Sequence, residues 1–139
     1  MRIVRIFNAH PQYRRRHNET IRLVRGVLQG EKRTNAEINV IFNDDKHMVK
    51  LNTSFLRHHY ATDVISFPLG ETDTTAVTGE VYVNIDQARR QADHYHVTLS
   101  NELARLTIHG VLHLLQYDDR TEQQRKQMTL LENRYLKFL

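Results

Sequence analysis

One segment limits what this chain can fold into more than any other. Between Thr98 and Tyr117 the apolar residues Leu103, Leu106, Ile108, Leu112 and Leu115 recur at helical spacing and cover almost the whole circumference. A helix that is apolar nearly all round has no face to give to solvent, so it runs through the middle of its domain, with other elements packed around it. The 139 residues, 40% of them hydrophobic, are enough for such a core. A chain of this length buries roughly 68% of the surface exposed by its unfolded form, and needs neither a disulfide nor a structural metal to fold. It amounts to one domain, residues 1–139.

The elements available to surround that helix follow from periodicity. RIVRIF reads as a short strand with Ile3 and either Ile6 or Phe7 inward, and a loop containing Pro11 follows. Ile21, Val24, Val27 and Leu28 form the apolar stripe of a helix capped by Asn18 and stopped by Gly30. Ile38, Val40 and Phe42 alternate as a strand. A helix lined by Met48, Leu51 and Phe55 runs from Asp44 to about Arg57. VISFP is a strand closed by Pro68, and GETDTTAVTG reads as a polar, mobile loop. Val81, Val83 and Ile85 make a fourth strand. A helix from Asp86 carries Ala88, Ala92 and Tyr95, the central helix begins at Thr98 or Ser100, and a last helix opens with the capping box Thr121 and Gln124 and buries Met128, Leu131 and Tyr135. About four strands and five helices in this order predict an α+β fold, a mixed sheet with helices packed on it in one compact domain.

Composition excludes several chemistries. There is no cysteine, so disulfides, thiolate ligands and cysteine nucleophiles are absent together, which fits a reducing compartment. No apolar run reaches the ~18 residues of a membrane span, and Arg2 and Arg5 interrupt the start where a signal peptide is apolar, so a soluble protein with no membrane partner is expected. The net charge is only +4, but 15 of the 20 basic residues are Arg, whose planar fork matches phosphate oxygens and points weakly to nucleic acid. Nine histidines are many for this length, and their spacing decides what they mean.

The decisive stretch is IHGVLHLLQYDD. At ~3.6 residues per turn, His109 and His113 stack on one face of the central helix, with ring nitrogens able to converge on one cation. Asp119 follows just past the expected helix end at Tyr117, where a turning chain can bring its carboxylate back. Two imidazoles and a carboxylate leave coordination positions open, as a catalytic zinc requires. Two histidines in an otherwise apolar helix also need partners, since each unsatisfied imidazole costs roughly 1–3 kcal/mol to bury. A metallopeptidase of the HExxH type carries its glutamate directly after the first histidine. Here that residue is Gly110, which reads as an opening beside the cation for a bulkier group such as a phosphodiester.

This stretch resembles the signature of the YbeY family, approximately HGxLHLxGYDH, here HGVLHLLQYDD. Gln116 stands where that family has glycine and Asp119 where it has a third histidine. LNTSFLRHHYATDVISFP is similar to the family's LNxxYR and PTxVLSFP, and GEVYVNIDQARRQA to its GDIxI strand and following helix. The resemblance implies a compact α+β domain with a zincin-like metal helix and a metal-dependent, single-strand-specific endoribonuclease acting in ribosomal RNA maturation, near the 3′ end of the small-subunit RNA. It implies a cytoplasmic protein with ribosomal RNA or the small ribosomal subunit as partner, and leaves its oligomeric state open. It also implies His109, His113 and Asp119 as ligands of one divalent cation. Zinc is the first choice, and the anionic third ligand widens the choice toward manganese or iron.

Arg57 occupies the place of the family's active-site arginine, where it would grip a phosphate and offset charge building on the phosphoryl oxygens. His58 and His59 beside it have the pKa for proton transfer. The run Arg14, Arg15 and Arg16 is either a solvated loop or a track for RNA. Two other readings stay open at this point: a metallopeptidase drawing its base from elsewhere, and a noncatalytic ribosome-assembly factor pinned by a structural metal.

Overall fold

The computed structural model describes residues 1–14, 16–56, 62–70 and 75–138. In chain order the described elements are β1 (Arg2–Asn8), α1 (His17–Gly30), β2 (Asn35–Asn43), α2 (Asp45–Leu56), β3 (Val64–Pro68), β4 (Ala76–Asn84), α3 (Ile85–Tyr95), α4 (Leu99–Leu114) and α5 (Glu122–Leu136). The strands form one mixed sheet in the order β1-β2-β4-β3, in which β1, β2 and β4 are parallel and β3 is an antiparallel edge. This is the α+β class expected, with four strands and five helices among the described residues.

Register fixes which side chains enter the core. Val4 lies opposite Ile38, Ile6 opposite Val40, Val40 opposite Val81 and Phe42 opposite Val83, so one face of the sheet is an unbroken apolar layer. With a period of two, Ile3 and Phe7 then belong to the other face, and Phe7 is exposed, so the inward residues of β1 are Val4 and Ile6. β4 starts at Ala76, earlier than expected, because its pairing with β2 continues down to Asn35. The part of the expected mobile loop at residues 71–74 lies outside the described residues.

α4 packs on β3 and β4 and is flanked by α1, α3 and α5, and Leu103, Ala104, Ile108, Val111 and Leu112 are all buried. The approach to the sheet is close because both surfaces are notched. A Cβ added at Gly110 of α4 would lie 2.4 Å from Val81 Cγ1, and one at Gly79 of β4 would lie 2.6 Å from Leu114 Cδ2. Thr98 caps α4, accepting the Asn101 N–H at 3.0 Å. The capping box of α5 is present, with Thr121 Oγ1 accepting from Gln124 N–H and Gln124 Oε1 from Thr121 N–H.

Candidate metal centre

His109 and His113 lie one turn apart on α4, their side chains 23% and 29% exposed. The rings meet edge to face at 4.6 Å. Their Nε2 atoms are 3.0 Å apart, and Asp119 Oδ2 stands 3.4 Å from His109 Nε2 and 3.5 Å from His113 Nε2. Three corners of a tetrahedron around a zinc ion with bonds of ~2.0–2.1 Å are ~3.3–3.4 Å apart. The donor triangle fits a cation of that size, and its nitrogen and oxygen atoms suit zinc, manganese or iron. Among the described residues this is the group of His, Asp and Glu side chains able to hold a metal ion. It opens onto a cavity of ≈550 Å³ whose other walls include Asn52, Asp63 and Ser66.

The return of Asp119 depends on how α4 stops. The helix ends at Leu114, earlier than Tyr117, and Gln116 takes a left-handed φ of 74°. The Tyr117 N–H bonds Leu112 O at 3.1 Å and the Gln116 N–H bonds His113 O at 3.0 Å, the paired bonds of a Schellman turn. Gln116 therefore does the conformational work of the glycine it replaces, at a steric cost glycine would not incur. Tyr117 then anchors the turn by donating to Glu31 at the end of α1, a carboxylate that also accepts from Tyr135 of α5.

Sequence reasoning missed Glu132. Its Oε2 lies 2.7 Å from His109 Nδ1, and its Oε1 accepts from Arg105 Nη1 at 3.0 Å. A carboxylate only accepts, so His109 carries its proton on Nδ1 and turns the Nε2 lone pair toward His113 and Asp119. Burial is the largest influence on the His109 pKa and lowers it, but the bond and charge of Glu132, with Asp119 and Asp63, outweigh it and hold the imidazole above its ordinary value. The signal was present: Met128, Leu131, Glu132 and Tyr135 fall at i, i+3, i+4 and i+7, which puts a carboxylate on the buried stripe of α5.

The sequence-predicted residues divide into two groups. His109, His113 and Asp119 are brought together, whereas Arg57, His58 and His59 lie outside the described residues, as does Arg15. The expectation that Gly110 leaves a gap for substrate is overturned. Gly110 is buried against Val81, Val64 and Ser66, so the space beside it is already filled by β3 and β4, and its carbonyl accepts the Ser66 hydroxyl at 2.8 Å.

The family profile described as Endoribonuclease YbeY matches residues 6–139. The chain belongs to this family. Among curated YbeY endoribonucleases, that of Chloroherpeton thalassium is 44% identical over 113 residues, 81% of this chain and 79% of the relative. That of Chlorobium luteolum is 36% identical over 132 residues, covering 94% and 95% of the two. Among solved structures, the solution structure of TM1509 from Thermotoga maritima is 27% identical, with a TM-score of 0.66, covering 97% of this chain and 87% of that one. YbeY relatives are named as endoribonucleases, so membership places the chain among enzymes that cut RNA phosphodiester bonds. No helix among the described residues is long and apolar enough to cross a membrane.

Proposed function

We propose that residues 1–139 work as one domain, a metal-dependent, single-strand-specific endoribonuclease in ribosomal RNA processing that matures the 3′ end of the small-subunit RNA in the cytoplasm. The observation that carries this reading is the His109, His113 and Asp119 triangle, sized for one cation and open to a ≈550 Å³ cavity, in a chain of the YbeY family. The cation, zinc in our reading, supplies Lewis acidity to a phosphoryl oxygen when bound. The protein's own groups do the rest. Glu132 sets the tautomer and orientation of His109, and the Schellman turn sets the position of Asp119. Arg57, by its likeness to the family motif, grips the phosphate and offsets its developing charge. A peptidase reading gains no support, since the position after His109 is packed on the sheet and has no room for a glutamate facing substrate.

The test uses a single-stranded RNA spanning the small-subunit 3′ end, with protein stripped by chelation and then reloaded with zinc, manganese or iron. Cleavage should vanish on chelation without unfolding, return with one of the metals, and be lost with the metal in Asp119→Ala. Unchanged cleavage by the stripped protein would refute the metal role. Unfolding on chelation would make the metal structural instead.

A further inference from the structure

A second cavity of ≈530 Å³ lies on the other side of His109, and both cavities share Asp63 and His109 as walls. A nucleotide whose phosphate lies at the histidine–aspartate triangle has a short path past His109 into it. Its composition is unlike the first. Tyr95, 60% exposed at the end of α3, lines it together with the polar groups Gln91, Asn101, Glu102 and Arg105. The spacing of Ala88, Ala92 and Tyr95 would bury that ring with the alanines, yet the two alanines are buried and the tyrosine is not.

The electrostatics select the occupant. Asp63, Glu102 and Glu132 face the cavity against Arg105, an excess of carboxylate that rejects phosphate and accepts neutral N–H donors. The polar groups are held in place. Glu102 is only 3% exposed and accepts from Gln91 Nε2 at 2.8 Å, and the Gln91 amide oxygen in turn accepts from Gln87 Nε2 at 3.1 Å. Arg105 is fixed by Glu132 at 3.0 Å and Asn133 at 2.8 Å. An exposed aromatic ring beside fixed, planar hydrogen-bonding groups is how single-stranded RNA bases are held, by stacking and by their Watson–Crick edges.

We infer that this second cavity is a nucleobase subsite for the nucleotide next to the scissile phosphate, with Tyr95 stacking on the base and Glu102 accepting from its amino group. It rests on the endoribonuclease reading and extends it to substrate preference. Guanine, adenine and cytosine offer an amino group to the carboxylate; uracil presents its one N–H between two carbonyls and is disfavoured.

The test is calorimetric binding of guanosine, adenosine, cytidine and uridine monophosphates, and of ribose 5-phosphate, to the metal-loaded protein. Ribose 5-phosphate reports the phosphate alone, and the ratio to it reports the base. The amino-bearing nucleotides should bind about 5- to 150-fold more tightly than ribose 5-phosphate. Tyr95→Ala should erase most of that ratio while leaving ribose 5-phosphate affinity, metal content and melting temperature unchanged, and Tyr95→Phe should keep it. Glu102→Gln should remove the preference over uridine; because Glu102 is buried, the exposed Tyr95 variants carry the test if that protein folds poorly. A wild type with no base-dependent ratio, or a Tyr95→Ala that retains it, would overturn the subsite alone. RNA cleavage that fails in the wild type would instead overturn the endoribonuclease reading.

Discussion

Replacing Gly110 by alanine is the sharpest probe of how the metal helix is seated. Helix propensity alone favours alanine by up to ~1 kcal/mol. The added Cβ would lie 2.4 Å from Val81 Cγ1, 3.1 Å from Val64 Cγ2 and 3.2 Å from Ser66 Oγ, where carbon contacts settle near ~3.5–4.0 Å. Val81 cannot step aside, since it is fully buried, β-branched and paired between Val40 and Ser66 in the sheet. Either α4 lifts or Val81 leaves its rotamer, and overpacking of this kind costs ~1–3 kcal/mol. Clash exceeds propensity, and we expect a net destabilisation of ~1–2 kcal/mol, a fall in melting temperature of about 3–8 °C. Urea unfolding should show a lower midpoint with an unchanged slope. Val81→Ala should make the glycine replacement less costly, so the double variant should be more stable than the sum of the two single losses by ~1 kcal/mol or more. A Gly110→Ala protein as stable as the wild type, or more so, would refute this account of how the helix meets the sheet.

Gln116→Gly should stabilise the protein by about 0.5–1 kcal/mol, as relief of the left-handed backbone exceeds the entropy glycine adds to the unfolded chain, which thermal melts would show. Glu132→Ala should weaken zinc affinity ~10–100-fold in competition with a chelating dye, with Glu132→Gln recovering part of it because the amide oxygen still accepts from Nδ1. The hydrogen bonds of Arg90 hold the Asp45 carboxyl below its ordinary value of 3.8, against the opposing effect of burial. A lowered folded-state pKa contributes stability above 3.8 that is lost as pH falls through the lowered value. Arg90→Ala should therefore be less stable than wild type at neutral pH and converge with it in acid, measured by urea midpoints across the acid range.

What could be read beforehand depended on how local its cause was. The clustering of His109, His113 and Asp119 was legible because they lie on one helix and the turn after it, so spacing alone aligns two of them. The capping box at Thr121 was equally local. The inward face of β1 was read only in part, with Ile6 left as an alternative to Phe7 and Ile3 placed inward, because RIVRIF offers apolar residues on both faces and only pairing with β2 selects Val4 and Ile6. Gly110 was misread because its reason lies across the fold, in Val81 and Val64. Glu132, 23 positions from His109, was visible as an acid on a buried stripe, but its partner depends on how α5 packs beside α4.

The compactness of the candidate ligand set along the chain has a thermodynamic consequence. His109, His113 and Asp119 fall within eleven consecutive residues, so closing the chelate orders very little chain. A state that has lost the sheet but keeps α4 and its turn still offers all three donors. Such a state competes with the native protein for the cation, and a ligand shared by two states stabilises only by the difference in its affinity for them. Metal loading should raise the melting temperature by less than its native-state affinity alone would give, and the rise that remains measures what a group from outside the helix and its turn, such as Glu132, adds to a site the helix can assemble by itself.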